Sequence, residues 1–199
     1  MGRNAVSKER NLNPKKRDLY IVKLTETFKK HGLKKYSMDS IASELKISKA
    51  TLYYYFSSKD EMVEIALMRV IGQMSEFENI AKNELLSFET RFYKMLELFS
   101  NSFNDISNLF LADLQDEYPL LWNQVQQFID YVNQVLTDFY NNGKKAGVFT
   151  EIHTAILVIS DRMFFNAISD VEFLTKNNIT LRMAFDEYFR MKCFGFIKQ

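Results

Sequence analysis

The stretch Ser37-Met-Asp-Ser-Ile-Ala-Ser-Glu-Leu-Lys-Ile-Ser-Lys-Ala-Thr-Leu-Tyr-Tyr-Tyr-Phe56 decides the reading of this chain. Ser37 is a helix N-cap residue with Asp39 in the first turn, so a short helix is expected over Met38 to Leu45. Ser48 is a second cap only three residues later, and it opens a helix over Lys49 to Phe56. Two helices of about two turns each are too short to persist alone and must pack steeply on a third. Ile41, Ala42, Leu45, Ile47, Leu52 and Phe56 form the inward set. Lys49, Ala50, Thr51, Tyr53, Tyr54 and Tyr55 are left facing outward. Three consecutive tyrosines surround most of a two-turn helix, so the core cannot take them all. An exposed tyrosine offers a flat ring to a sugar or a thymine methyl and a hydroxyl to a phosphate. Ser37 and Ser48 place helix N–H groups and hydroxyls where phosphates would lie. The pattern is a helix-turn-helix with Lys49–Tyr55 as recognition helix.

Working outward, scarce Gly and Pro beside abundant Leu, Phe, Lys and Glu predict helices throughout. Ile21, Leu24, Thr25 and Phe28 repeat at helical spacing within 15–31, and Gly32 is the expected stop. Ser58-Lys59-Asp60-Glu61 has the form of a capping box opening a helix with the stripe Val63, Ala66, Leu67, Val70 and Met74. Longer helices follow: one striped by Leu85, Phe88, Phe92, Met95, Leu96 and Phe99, a shorter one over 103–117, and one begun by Pro119. Two more span 152–174 and 181–196. The fold class is all-α with about nine helices: an N-terminal three-helix helix-turn-helix domain and a larger helical domain for ligand binding and dimerisation. The expected division is a basic, flexible tail at 1–14 and a DNA-binding domain at 15–60 with its motif at 37–56. Residues 61–199 then make the second domain, joined by the helix starting near residue 59.

The 199 residues carry a net charge of +1, yet the charge is uneven. Residues 1–70 hold 15 Lys+Arg against 8 Asp+Glu, or +7, and the remainder holds 11 against 17, or −6. A basic first third suits a polyanionic partner, and equally a solvated basic tail. With 18 Phe and 10 Tyr the chain must fold, and its single Cys excludes an intrachain disulfide. No apolar run approaches the roughly 20 residues of a bilayer span, and the N-terminus lacks a secretion signal. A soluble, cytoplasmic protein without a membrane partner is expected.

The same residues match a known family in order and at family-like spacing. Ile21-x2-Leu24-Thr25-x2-Phe28-x3-Gly32, then Ser37-x3-Ile41-Ala42, Ile47 through Phe56 and Lys59-Asp60-Glu61-Met62 resemble the TetR family of transcriptional regulators. The resemblance covers about 60 residues after the tail. It implies a homodimer on a palindromic operator in double-stranded DNA, a repressor released when a small-molecule effector fills the C-terminal domain. It places Lys49, Ala50, Thr51 and Tyr53 where that family reads base edges. Ser37, Ser48, Tyr54, Tyr55 and Lys59 stand where it holds phosphates. Lys46 departs from the Gly common in the turn, which calls for positive φ at a cost of about 1 kcal/mol. The basic tail is expected either to touch DNA or to act as a tether.

The C-terminal two-thirds is read from apolar stripes alone. The segment 152–174 is apolar on more than one face, which predicts burial on several sides, against its own core and against a second copy. Ile156, Ile159, Met163, Phe185 and Phe189 are the expected dimer residues, with plain intrachain packing as the alternative. Phe92, Phe99, Phe110, Trp122, Ile129 and Phe165 supply walls for an effector pocket, and Gln126, Arg162 and Asn166 its polar groups. The pattern suggests a lipophilic or aromatic effector. His153 reads as a helix-end or core residue and Cys193 as a small hydrophobe. No catalytic set, phosphate loop, metal spacing or cofactor motif stands out, so no enzyme is expected. The competing class is a helical carrier or enzyme whose N-terminal helices dock a protein partner.

Overall fold

The computed structural model describes residues 13–149 and 152–194, and among them eleven helices and no strands. In chain order they are α1 (Pro14–His31), α2 (Met38–Leu45), α3 (Lys49–Tyr55), α4 (Lys59–Gly72), α5 (Phe77–Lys82) and α6 (Phe88–Ser102). Then come α7 (Asn108–Glu117), α8 (Pro119–Lys145), α9 (Thr154–Ile168), α10 (Val171–Lys176) and α11 (Leu181–Phe194). The count exceeds nine for two reasons. The chain turns after Gly72 and re-enters a helix at Phe77, and Asp170 caps a separate α10 where one helix was expected over 152–174. The basic tail falls mostly outside the described residues. Its last two residues instead start α1, where Asn13 accepts the Lys16 amide at 3.2 Å and Pro14 takes the first turn. Leu85, expected on the α6 stripe, precedes the Ser87 cap and is exposed.

Helices α1 to α4 share one core. Leu24, Thr25 and Phe28 of α1 meet Ile41, Ala42 and Leu45 of α2, Leu52 of α3, and Met62, Val63, Ala66, Leu67 and Val70 of α4. Burying each large apolar side chain contributes about 1.5–3 kcal/mol, which gives the two short helices a stability their own hydrogen bonds lack. The longer helices wrap an aromatic centre in which Phe77, Phe99, Phe103, Phe185 and Phe189 touch ring to ring.

The first four helices are joined to the rest chiefly through α7. Asp113, buried, accepts the backbone amides of Leu33 and Lys34 at 2.6 and 2.9 Å, just past the end of α1. The Ser107 amide donates to Lys29 O at 2.9 Å. Gly32 makes this approach possible: its φ is +76°, and a Cβ there would stand 2.6 Å from the Asp113 carboxylate and 2.7 Å from Leu109. A second tie is Tyr118, hydrogen-bonded to Asp60 at the start of α4. Burial first, then Asp60 and Glu117, pushes its hydroxyl up to about 12.

Candidate DNA-binding face and effector cavity

Local chemistry sets the outward face of α3. Ser37 and Ser40 cap α2 reciprocally, the Ser37 hydroxyl receiving the Ser40 amide while Ser40 Oγ takes the Ser37 amide at 2.8 Å. Lys46 then adopts φ 57°, ψ 43°, the left-handed turn conformation expected of it, and Ser48 caps α3 by accepting the Thr51 amide at 3.0 Å. With Leu52 and Phe56 fully buried, the helix is fixed in rotation, and Lys49, Ala50, Tyr53 and Tyr54 come to the surface with Thr51 at its margin. Tyr53 is 42% exposed and Tyr54 39%. In the free protein Lys49 is paired with Asp39 at 2.8 Å, both groups solvated. Such a pair is worth at most about 1 kcal/mol and yields readily to a phosphate or a base.

One tyrosine departs from the expected set. Tyr55 is only 7% exposed and packs edge-on against Tyr20 of α1 and Tyr54 at ring distances of 5.3 and 5.2 Å. A seven-residue helix has room for two outward tyrosines, and the third falls over α1, so Tyr55 belongs to the core and not to the outward face. The start of α4 is held beside it. Glu61 accepts the Ser57 amide and hydroxyl at 2.6 and 2.7 Å and pairs with Arg17 at 2.8 Å. Burial alone would raise that carboxyl, but these partners together lower it. Lys59, in the first turn of α4, is half-buried, and Ser37 and Ser48 are exposed.

An apolar cavity lies behind α7. It has a volume of about 100 Å³ and is walled by Phe99, Phe103, Phe110, Leu114, Trp122, Phe128, Ile129, Phe165 and Ile168, with Val70 and Met74 contributed from α4 and the turn after it. Phe99, Phe110, Trp122, Ile129 and Phe165 are therefore brought together as the sequence suggested. The remaining four are not. Phe92 faces a neighbouring crevice of about 10 Å³, which shares Phe99 and Phe165 with the cavity. Gln126 lies off the lining, and Arg162 and Asn166 are exposed on the outer side of α9, because the cavity is met by Phe165, Ile168 and Ser169. The Ser169 hydroxyl donates to Phe165 O at 2.8 Å, so the walls are almost wholly apolar.

The expected dimer set divides in the same manner. Ile156 and Met163 are 60% and 65% exposed and Ile159 is half-buried, all on the outer stripe of α9. Phe185 and Phe189 are instead buried, packed on Phe99, Phe103, Phe92 and Phe165. They belong to the protomer's own core. The outer stripe of α11 consists of Met183, Glu187, Met191 and Phe194, residues that helical periodicity alone could not rank above the phenylalanines. Near the end of α11, Asp161 is fully buried and receives Tyr140 OH at 2.7 Å, Tyr188 OH at 2.8 Å and Lys192 Nζ at 2.5 Å. This closed network satisfies a carboxylate that would otherwise cost several kcal/mol to bury. His153 caps α9 through Nδ1, and Cys193 is half-buried. Among the described residues no group of His, Cys, Asp and Glu is arranged to hold a metal, and no helix is long and apolar enough to cross a membrane.

Residues 23–66 match the family described as bacterial regulatory proteins, tetR family. The match is confined to the latter half of α1, the helix-turn-helix segment and the start of α4. The chain is 28% identical over 160 residues, 79% of this chain and 84% of the relative, to the uncharacterized HTH-type transcriptional regulator YvaF of Bacillus subtilis (strain 168). The fold extends over nearly the whole chain. A putative transcriptional regulator from Saccharomonospora viridis, solved in complex with choline, superposes with a TM-score of 0.69 at 16% identity, covering 94% of this chain and all of that one. The TetR family regulator PfmR from Thermus thermophilus gives 0.65 at 16% identity over 90% and 99%. The matched segment and the Bacillus subtilis relative favour a transcriptional regulator over a helical carrier or enzyme.

Proposed function

We propose that this chain is a TetR-family regulator, a cytoplasmic homodimeric repressor that binds a palindromic operator and leaves it when an apolar small molecule occupies the cavity behind α7. The observation that carries the reading is the outward face of α3. Lys49, Ala50, Thr51 and Tyr53 stand on a helix capped at its start and locked in rotation by Leu52, as base readout in the major groove requires. Ser37, Ser48, Tyr54 and Lys59 flank that face as phosphate contacts, and Tyr55 is omitted because its ring is covered.

Dimerisation fits the apolar strip Ile156, Ile159 and Met163, which a lone protomer would leave in water. Release follows from the connections of α7. Phe110, Leu111 and Leu114 wall the cavity on one side of this helix, while Asp113 grips Leu33 and Lys34 on the other. A guest that displaces α7 therefore moves the root of α2 and alters the spacing of the two recognition helices, about 34–36 Å in DNA-bound form. A hundredfold loss of affinity needs about 2.7 kcal/mol of coupling, within the range such contacts supply.

The test is an anisotropy titration over salt concentration on a duplex selected by the wild-type protein. Tyr53→Ala and Lys49→Ala weaken binding and relax preference at one base position each, at about 1–3 kcal/mol per lost contact, whereas Lys59→Ala weakens all sequences alike and reduces the salt slope by about 1. Wild-type affinity in all three variants rejects the assignment.

A further inference from the structure

The buried face of α6 reads Phe88, Arg91, Phe92, Met95, Phe99: an arginine stands in an otherwise apolar row. Arg91 is only 7% exposed. Its guanidinium lies 3.9 Å over the Phe88 ring and 5.7 Å from that of Phe139, and one nitrogen donates to Ala81 O at 2.9 Å. Its Nε is buried with no acceptor in reach, and none of the ion pairs among the described residues includes it. The buried carboxylates of this half are treated differently: Asp113 accepts two backbone amides, and Asp161 has three donors around it. A guanidinium taken out of water without a carboxylate is costly, and its planar fork is shaped for two oxygens.

What lies beside Arg91 gives the anion its remaining shape. Phe139 stacks on Phe92, Phe92 lines the narrow crevice, and the crevice and the cavity have Phe99 and Phe165 as common walls. From Arg91 to Phe99 along α6 is about 12 Å at 1.5 Å per residue. We infer that the effector is an acidic amphiphile, whose carboxylate pairs with Arg91 and whose linear apolar tail runs along α6 and α8 through the crevice into the cavity. This inference rests on the reading of that cavity as the effector site.

The experiment uses Trp122, the single tryptophan of the chain and part of the cavity wall, as a fluorescence reporter. The full-length protein is titrated with decanoate and with 1-decanol, which share a chain and differ in the charged head. The expected result is a saturable shift of Trp122 emission with decanoate about tenfold tighter than decanol. Arg91→Met, first checked for folding by circular dichroism and a cooperative melt, is expected to bind the two alike, and Arg91→Lys to retain part of the preference. A purely structural arginine holding Ala81 would leave the preference unchanged. Equal affinity for the two probes in the wild type, persistence of the preference in Arg91→Met, or no response to either overturns the inference. Decanoate binding through Arg91 with operator affinity unaltered supports this inference and overturns instead the effector role of the cavity.

Discussion

The first four helices and the last seven solve the same packing problem with different amounts of information. In α1 to α4 the elements are capped or terminated by residues whose chemistry is local: Asn13, Gly32, Ser37, Lys46, Ser48 and Ser58. The outward face there is polar and aromatic, and nothing buried competes with it. In α9 and α11 both sides of a helix are apolar, and the side that enters the core is set by distant partners. On α11, phenylalanines 185 and 189 go inward while Met183, Met191 and Phe194 stay outside. The face proposed to read DNA is written in local signals, whereas the face proposed to meet a second copy is written in the same letters as the core.

The largest effect that would sharpen this contrast is loss of the proposed dimer. The double variant Ile156→Glu, Met163→Glu sets carboxylates on the outer stripe of α9. Sedimentation is expected to shift the protein to its 23.5 kDa protomer with helical content intact. An unchanged dimer would move the interface elsewhere. Next is Phe185→Ala, expected to cost about 3–5 kcal/mol in urea unfolding as a core cavity, far more than an exposed interface residue would lose in the protomer. Smaller is Asp113→Ala, which strips two backbone amides of their acceptor. It should cost about 1–3 kcal/mol and weaken the coupling of cavity occupancy to DNA affinity. Gly32→Ala is expected to mimic it through strain at positive φ and the clash with that carboxylate.

The least effect belongs to pH. Tyr118 has its hydroxyl raised to about 12, above the usual value near 10, so the folded protein holds that proton longer than the unfolded chain. Its contribution is fully present below about pH 10 and is lost as pH rises toward 12. The difference in melting temperature between wild type and Tyr118→Phe should shrink across that interval, and a constant difference would assign Tyr118 no titrating role.

Much of this was legible beforehand. Caps, turn residues and the inward set Ile41, Ala42, Leu45, Leu52 and Phe56 placed α1 to α4 almost to the residue, and the αL geometry of Lys46 followed from its position. Tyr55 was misplaced because three adjacent side chains on a two-turn helix span all directions, and only the position of Tyr20 decides which is covered. In the larger half, Phe99, Phe110, Trp122, Ile129 and Phe165 emerge together because helical stripes do indicate a core. Arg162 and Asn166 were drawn to the pocket by polarity alone, without knowledge of which side of α9 meets it. Arg91 is masked by the phenylalanines of its helix, and its signal in the sequence is a lone charge in an apolar row.

The most direct test of the central claim is selection of binding sites from a random duplex pool by the wild-type protein, sequenced without prior assumption. The account predicts an inverted repeat whose half-sites sit about one helical turn apart, or a multiple of it, with enrichment abolished by Tyr53→Ala. Recovery of no enriched sequence, or of a single unrepeated site insensitive to that substitution, would contradict it.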